Sequence, residues 1–291
     1  MKIKNALIIY KKSTYQFYFF EHRSKKFEKE LRLHPSMRTK FKKAHEEHIC
    51  TLGHIKRVLK EAGIRFKAYY RGKISNYRPF DLVVTVGGDG TFLEAARHTK
   101  RQVILGVNSD PRRSIGRLCV ANRQNFKGIL KTVLGSRPPV KFFSRVSLWH
   151  SKSKRKINVL NDILICHKNP AAMSRYRLIV NGANEDQRSS GLWVATAIGS
   201  SGAIHSAGGK TLPRESKLVQ YMPRELFCGH GAKYRLKGGV ISLRNPMTVR
   251  SMMRNGVLYI DGAHFSLPFS FDDVIKFSIS REPLRAVVLR K

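Results

Sequence analysis

The chain has 291 residues, of which 42% are hydrophobic and 10% aromatic, and this composition excludes an intrinsically disordered protein. No apolar run approaches the roughly 20 residues that a membrane-spanning helix requires. Four widely spaced cysteines without a Cys-x-x-Cys pair favour reduced thiols and argue against structural zinc. We therefore expect no membrane association, no signal peptide and a cytoplasmic location.

The charge is strongly positive, with 56 Lys and Arg against 19 Asp and Glu and a formal net charge of +37. Such a field attracts anions, which leaves three explanations: a polyanion or nucleic-acid binder, an enzyme of small anionic substrates, or a host whose proteins are generally basic. The basic residues are scattered, and no zinc finger or RNA-recognition motif accompanies them. We expect small anionic ligands and no nucleic-acid partner.

The first half of the chain predicts alternating strands and helices. Apolar residues recur at spacings of three and four from Ile49 to Ala62, which predicts an amphipathic helix over 41–62 that ends at Gly63. A continuous β-branched run over 81–86 is typical of a strand covered on both faces, as in a parallel sheet. The other predictions are strands over 6–10, 64–70 and 103–107, helices over 91–98 and 125–134, and loop with irregular helix over 11–39.

The second half predicts mainly strands. Two prolines, Pro138 and Pro139, mark the change, so we expect an open α/β domain with a mainly parallel sheet over 1–138 and a β-rich domain over 139–291, with the last strands able to return to the first domain. The predicted strands are 142–150, 157–167, 176–180, 192–197, 240–243, 257–260 and 274–280, with one helical segment over 199–207.

The turn Gly87-Gly88-Asp89-Gly90-Thr91 separates the buried strand from the next helix. Glycines allow a sharp turn and leave no side chains between the backbone amides and a ligand. Those amides and the helix N-terminus suit phosphate, and a carboxylate inside such a site is costly unless it acts, for example as the base that deprotonates an attacking hydroxyl. The alternative is a tight turn with Asp89 as a helix cap.

This turn and three further stretches resemble the NAD kinase family. The segment 87–97 reads Gly-Gly-Asp-Gly-Thr-Phe-Leu-Glu-Ala-Ala-Arg, as in that family. The other matching stretches, in the same order along nearly the whole chain, are Asn161-Asp162, 187–192, and Thr196 with 199–201 and 206–209. The segments 106–111 and 280–283 look most like the mitochondrial-type branch of the family.

The resemblance implies transfer of the γ-phosphoryl group of ATP to the 2′-hydroxyl of the adenosine ribose of NAD, which yields NADP. It implies that Asp89 is the catalytic base, that Mg²⁺ accompanies ATP without a protein metal site, and that the protein is a homo-oligomer. The implied phosphate-binding residues are Gly87, Gly88, Gly90 and Thr91. The implied NAD-binding residues are Asn108, Asn161, Asp162, Arg188, Ser190, Thr196, Ser201 and Ser206.

Two positions depart from the family pattern, and two alternatives stay open. Asp162 stands where the family has a glutamate, and Ala203 stands where it has an aromatic side chain. Lipid and sugar-phosphate kinases share the Gly-Gly-Asp-Gly core, so one alternative is a related kinase with a lipid or other small hydroxyl acceptor. The other is a non-catalytic polyanion-binding homologue.

Overall fold

The computed structural model describes residues 3–231, 233–244 and 246–289. Two compact units divide the chain, Met1–Lys141 with Arg285–Lys291, and Phe142–Leu284. The outer ends of the two predicted domains, 1–2 and 290–291, lie outside the described residues. Within the described ranges, no helix is both long and apolar enough to cross a membrane.

The first unit alternates strands and helices around one sheet. Its elements in chain order are β1 (Asn5–Tyr10), a π-helical turn (Gln16–Glu21), α1 (Lys25–Leu33), α2 (Pro35–Glu61), β2 (Arg65–Tyr70), β3 (Leu82–Gly87), α3 (Asp89–His98), β4 (Val103–Asn108) and α4 (Phe126–Leu134). The sheet has the order β2-β1-β3-β4-β18-β5, completed by β5 (Val140–Phe143) and β18 (Leu284–Val287).

The predicted mainly parallel sheet is confirmed. β1 pairs in parallel with both β2 and β3, and β4 pairs in parallel with both β3 and β18. All residues of β3 and β4 are buried, as their continuous apolar runs predicted. The core of this unit joins the sheet to α2 and α4 through side chains such as Ile55, Val84, Leu105 and Ile129.

The prediction for 11–39 was wrong in part, because the regular helix α1 and the start of α2 lie there. The Ser24 hydroxyl caps α1 by accepting the Phe27 N–H at 3.3 Å, and Pro35 begins α2 at a position where proline is favoured. α1 buries Leu31, while most of its residues are charged. A capping serine and a proline therefore set the starts of the two helices, which the spacing of apolar residues did not indicate.

The second unit consists of two antiparallel six-stranded sheets. Its strands are β6 (Val146–His150), β7 (Lys156–Val159), β8 (Asp162–His167), β9 (Ser174–Val180), β10 (Ala183–Ser189), β11 (Gly191–Thr196), β12 (Val219–Arg224), β13 (Gly239–Ile241), β14 (Met247–Ser251), β15 (Gly256–Ile260), β16 (Ser266–Pro268) and β17 (Val274–Ile279). The sheet orders are β10-β9-β14-β17-β6-β7 and β13-β12-β11-β8-β15-β16. One core of side chains from both sheets, including Leu178, Phe277, Ile165 and Leu258, confirms the predicted β-rich architecture.

Four strands of this unit were not predicted, and the shortest of them is the three-residue β16 (Ser266–Pro268). β10 is mostly polar, β12 contains Pro223, and β14 alternates buried residues with Thr248 and Arg250 on the outer face. The predicted helix over 199–207 is a 3-10 turn (Gly199–Ser201) followed by the short α5 (Ala203–Ser206), with a break at Gly202.

Candidate functional site

β3 runs directly into α3 at the predicted phosphate turn. Gly87 ends β3, Gly88 is extended (φ −124°, ψ −164°), and Asp89 begins α3. The first backbone bond of the helix runs from the Thr91 N–H to the Gly88 carbonyl at 3.0 Å. The N–H groups of Asp89 and Gly90 precede that bond, so they and the helix dipole form an anion site at the carboxyl end of β3.

The carboxylate of Asp89 is held by the segment that follows β4. Its Oδ1 accepts the Leu118 N–H at 2.8 Å and its Oδ2 accepts the Arg117 N–H at 3.1 Å. Asp89 itself is half-buried, and among the described residues no side chain caps α3. The alternative that Asp89 is a helix cap is therefore not what the geometry shows. Each carboxylate oxygen has about two lone-pair sites, so both oxygens keep room for a further donor.

Close packing explains the glycines of the turn. A Cβ on Gly87 would collide with the Thr91 hydroxyl, and a Cβ on Gly88 would lie 2.9 Å from the Ser114 Oγ. Thr91 is 2% exposed, so its side chain supports the turn from beneath. Because the Thr91 side chain is buried, it presents no exposed group for the predicted contact with phosphate.

Asn108 shapes the loop after β4. Its Nδ2 donates to the Ser114 carbonyl at 2.8 Å and its Oδ1 accepts the Asp110 N–H at 3.0 Å, while the residue is 5% exposed. Gly116 (φ +59°) packs against it, since a Cβ there would lie 2.5 Å from Nδ2. The structure thus places Asn108 as a brace of the loop that leads to Arg117, the donor to Asp89.

Two cations beside the turn were missed by sequence reasoning. Lys11 directly follows β1, and its N–H donates to the Val86 carbonyl at 3.2 Å. Arg71 directly follows β2, and its Nη1 lies 3.7 Å from the position that a Cβ on Gly90 would occupy. The signal that could have found them is topological, because the carboxyl ends of parallel strands meet at one edge of the sheet.

The second unit brings Asn161 and Asp162 together with Asp261. The Asp261 carboxylate accepts the N–H groups of Leu160 at 3.2 Å and Asn161 at 2.6 Å, and its own N–H donates to the Asp162 carbonyl at 2.8 Å. The Asn161 Nδ2 donates to the Asp162 Oδ2 at 3.0 Å. Asp261, which sequence reasoning did not assign to the site, fixes the backbone of the predicted NAD-binding pair.

Burial changes the acidity of Asp162. The side chain is 6% exposed, and burial together with the charge of Asp261 raises the pKa of Asp162 to about 7, against the opposing hydrogen bond from Asn161. The carboxyl group therefore changes its charge near neutral pH. It can donate a hydrogen bond when protonated and only accept one when ionised.

Thr196 and Gly199 hold the backbone beside this pair. The Thr196 hydroxyl donates to the Leu160 carbonyl at 2.5 Å and accepts the Ile198 N–H at 3.1 Å, and Thr196 is 3% exposed. A Cβ on Gly199 would collide with the Asn161 carbonyl. The structure thus gives Thr196 a bracing position, and direct contact between its side chain and NAD stays a prediction.

The remaining predicted NAD contacts lie apart within the second unit. Ser190 and Thr196 flank opposite ends of β11, about 20 Å apart at roughly 3.4 Å per residue. Arg188 is exposed near the end of β10, two residues before Ser190. Ser201 ends the 3-10 turn and is half-buried, while Ser206 ends α5 and is exposed. The fold therefore does not bring Arg188 and Ser190 to the pair Asn161-Asp162.

Among the described residues, the possible metal ligands and the cysteine thiols outside these positions do not indicate a further reactive site. Within the described ranges, no group of three or more His, Cys, Asp or Glu is arranged to hold a metal ion. All four cysteines are free thiols. Burial and the charge of Asp89 raise the pKa of Cys119 to about 12, so this thiol stays protonated at neutral pH.

Comparison with known proteins identifies similar chains. A family model described as the ATP-NAD kinase N-terminal domain matches residues 9–137. A probable NADH kinase of Oryza sativa subsp. japonica is 35% identical over 271 residues, which cover 85% of this chain and 82% of that protein. An NADH kinase of Arabidopsis thaliana is 31% identical over 76% of this chain and 77% of its own length.

Two solved structures share the fold. The crystal structure of an NAD kinase from Archaeoglobus fulgidus in complex with ATP has a TM-score of 0.71 and 24% identity, and covers 98% of this chain and 93% of its own. The crystal structure of yeast NADH kinase complexed with NADH has a TM-score of 0.65 and 18% identity, and covers 79% of this chain and 68% of its own.

Proposed function

Because the chain belongs to the NAD kinase family, we propose that it transfers the γ-phosphoryl group of ATP to the 2′-hydroxyl of the adenosine ribose of NAD. The observation that carries this proposal is the position of Asp89. A half-buried carboxylate opens α3 among bare backbone amides, and two N–H groups of the following loop hold it in one orientation. Phosphoryl transfer needs both parts, amides that bind phosphate and a base for the hydroxyl.

In the proposed reaction, the amides of Gly88, Asp89 and Gly90 bind phosphate oxygens of ATP. Asp89 accepts the proton of the 2′-hydroxyl as its oxygen bonds to the γ-phosphorus, and the bond from that phosphorus to the β–γ bridging oxygen breaks. The products are NADP, ADP and a proton that Asp89 returns to water. Gly87 and Thr91 act indirectly, because they shape the turn from the sheet side.

We assign binding of the acceptor to the second unit, with the first unit holding the phosphate turn. Asn161 offers a donor and an acceptor on one side chain, and the ionised Asp162 accepts from a ribose hydroxyl or an adenine amino group. Asn108 and Thr196 support the binding residues through the loops that they brace. Direct contacts of Arg188, Ser190, Ser201 and Ser206 with NAD remain predictions.

Magnesium is part of the proposal as an ion that arrives with ATP. Mg²⁺ usually keeps water and nucleotide oxygens as ligands and takes few from the protein. The donor set at the turn fits that mode, since Asp89 offers a carboxylate there while the nearby Asp110 is paired with Arg113 at 2.9 Å. When bound, the ion would offset the charge of the ATP phosphates.

A homo-oligomer and a cytoplasmic location complete the proposal. Trp193, Leu164 and Tyr259 form a row of neighbours across β11, β8 and β15, on the face turned away from the core of the second unit. All three are partly exposed, and an exposed apolar row supports self-association. The free thiols suit a reducing compartment. Light scattering during size-exclusion chromatography would measure the number of subunits.

NADH is a second candidate acceptor, because the two plant relatives are named NADH kinases. The decisive experiment incubates the purified chain with ATP, Mg²⁺ and either NAD, NADH or diacylglycerol. We expect formation of NADP or NADPH, measured by coupling to an NADP-specific dehydrogenase, and a rate about 10²- to 10⁴-fold lower with Asp89→Asn. Phosphorylation of the lipid alone, or of none of the three, would overturn the proposal.

A further inference from the structure

The strand order places a crevice beside the phosphate turn. In the order β2-β1-β3-β4, the chain passes from β1 to β2 on one side, and β3 and β4 lie on the other side of β1. Connections that leave in opposite directions open a crevice at the carboxyl ends of the two strands, where ligands of open α/β sheets bind. Lys11 follows β1 and Gly87 ends β3, so both residues border this crevice.

The ammonium group of Lys11 has no partner of its own. The residue is half-buried, and within the described ranges its Nζ makes neither a hydrogen bond nor an ion pair. Burial lowers the pKa of Lys11, and the charge of Asp110 opposes that shift. Asp110 is already bound to Arg113, whose Nη1 lies 2.9 Å and 3.1 Å from its two oxygens. A charge that is partly removed from water without an ion-pair partner is destabilising, so this arrangement favours an anion beside Lys11.

The neighbouring Lys12 differs from Lys11 because its ammonium group has a partner. Lys12 pairs with Glu21 at 2.5 Å, and its Nζ lies 4.7 Å from the centre of the Tyr70 ring. Lys12 thus has an ion-pair partner, whereas Lys11, one residue earlier, has none among the described residues. The pair offers a matched control, since both residues carry the same charge at the end of β1.

Arg71 borders the turn from the β2 side. Its Nη1 lies 3.7 Å from the Cβ position of Gly90, and its charge also lowers the pKa of Lys11. Two cations that repel each other at one edge of the sheet are stabilised when an anion of high charge lies between them. A triphosphate has that charge, and the amides of Gly88, Asp89 and Gly90 at the start of α3 suit its phosphates.

We infer that Lys11, flanked by Arg71, binds the triphosphate of ATP at the Gly87–Thr91 turn. This inference rests on the proposed function, because it takes ATP as the phosphoryl donor. Lys11 supplies a point charge that the backbone amides lack, and it acts on the donor without contacting the acceptor.

The test is direct binding of ATP by calorimetry, in the absence of NAD, to the full chain and to Lys11→Met, Lys11→Arg and Lys12→Met. We expect Lys11→Met to weaken ATP binding about 10- to 100-fold, as for a lost charge-assisted hydrogen bond. Lys11→Arg should recover part of the affinity, and Lys12→Met should stay within about twofold of the wild type. Inorganic tripolyphosphate should compete with ATP and show the same dependence on Lys11.

Steady-state kinetics separates this inference from the proposed function. Lys11→Met should raise the KM for ATP and leave the KM for NAD within about twofold. ATP binding to Lys11→Met that equals the wild type would overturn the inference even if NADP is formed. A wild type that makes no NADP but binds ATP through Lys11 would overturn the proposed function alone. If Lys11→Met and Lys11→Arg lose the same amount of ATP affinity while their melting temperatures stay unchanged, the role of the charge is also refuted.

Discussion

The carboxylate of Asp89 accepts the backbone N–H of Leu118 at 2.8 Å, and this bond joins the start of α3 to the segment that follows β4. Together with the bond from the Arg117 N–H, it removes rotational freedom from the side chain. A general base needs such a fixed position, because proton transfer requires hydrogen-bond geometry with the hydroxyl. The loop between β4 and α4 therefore belongs to the positioning of Asp89.

Replacement of Asp89 tests its chemical role. We expect Asp89→Asn to lower kcat by about 10²–10⁴, the usual range for a general base. The amide oxygen can accept the Leu118 N–H, but its NH2 group cannot accept the Arg117 N–H, so the melting temperature should fall modestly. Rates of NADP formation and thermal unfolding measure the two effects. Turnover at the wild-type rate would exclude Asp89 as the base.

Substitution of Gly199 tests the backbone contact beside Asn161. A Cβ there would collide with the Asn161 carbonyl, whereas Gly53 in α2 has no atom within 4 Å of its Cβ position. We expect Gly199→Ala to raise the KM for NAD and lower the melting temperature. Gly53→Ala should be neutral or stabilise by about 0.4–1 kcal/mol, since alanine restricts the unfolded chain. Equal behaviour of the two variants would contradict the proposed position of the acceptor site.

The raised pKa of Asp162 predicts a pH-dependent KM for NAD. The pKa is about 7, so the carboxyl group is mostly protonated at pH 6 and mostly ionised at pH 8. If the ionised form accepts a hydrogen bond from the adenosine half, the KM for NAD should fall as the pH rises through 7. Asp162→Asn cannot ionise, and its KM should be higher and free of this transition. A transition that persists in Asp162→Asn would assign it to another group.

The same shift predicts how stability depends on pH. The folded pKa of Asp162 lies above the ordinary value of an aspartate, 3.8, so the folded state keeps a proton that the unfolded state has already lost. Its contribution is fully present below the unfolded pKa and is lost as the pH rises through about 7. The melting temperature of the wild type should therefore fall more between pH 5 and pH 8 than that of Asp162→Asn. Parallel decreases in both proteins would refute this assignment.

Thr196 tests whether a bracing hydroxyl matters to the site. Thr196→Val keeps the shape but leaves the Leu160 carbonyl and the Ile198 N–H without their partner. Buried unpaired groups cost about 1–3 kcal/mol, and the free energy of unfolding should decrease by that amount. Thr196→Ser keeps the hydroxyl and should retain most of the stability. If Thr196→Val raises the KM for NAD without a loss of stability, direct contact with NAD is the better explanation.

The fold was predictable wherever burial covers both faces of an element. β3 and β4 are buried throughout, so their sequences are continuous apolar runs. β10 and β14 bury one face and expose polar side chains such as Asp186 and Arg250 on the other. Their strand conformation comes from pairing with β9, which lies between them in the sheet, and a single strand carries little sign of its partner.

Some features of the candidate site are likewise set by local sequence, and others by the tertiary structure. The sequence by itself determined the glycine turn with Asp89 and the membership of the NAD kinase family, because each motif behind them is a short contiguous stretch of the chain. Only the tertiary structure decided which distant groups surround those residues. Asp261 reaches Asn161 across 100 residues, and Lys11 comes beside Val86 through the pairing of β1 with β3. Such contacts depend on strand order and register, which are set by the packing of the whole sheet.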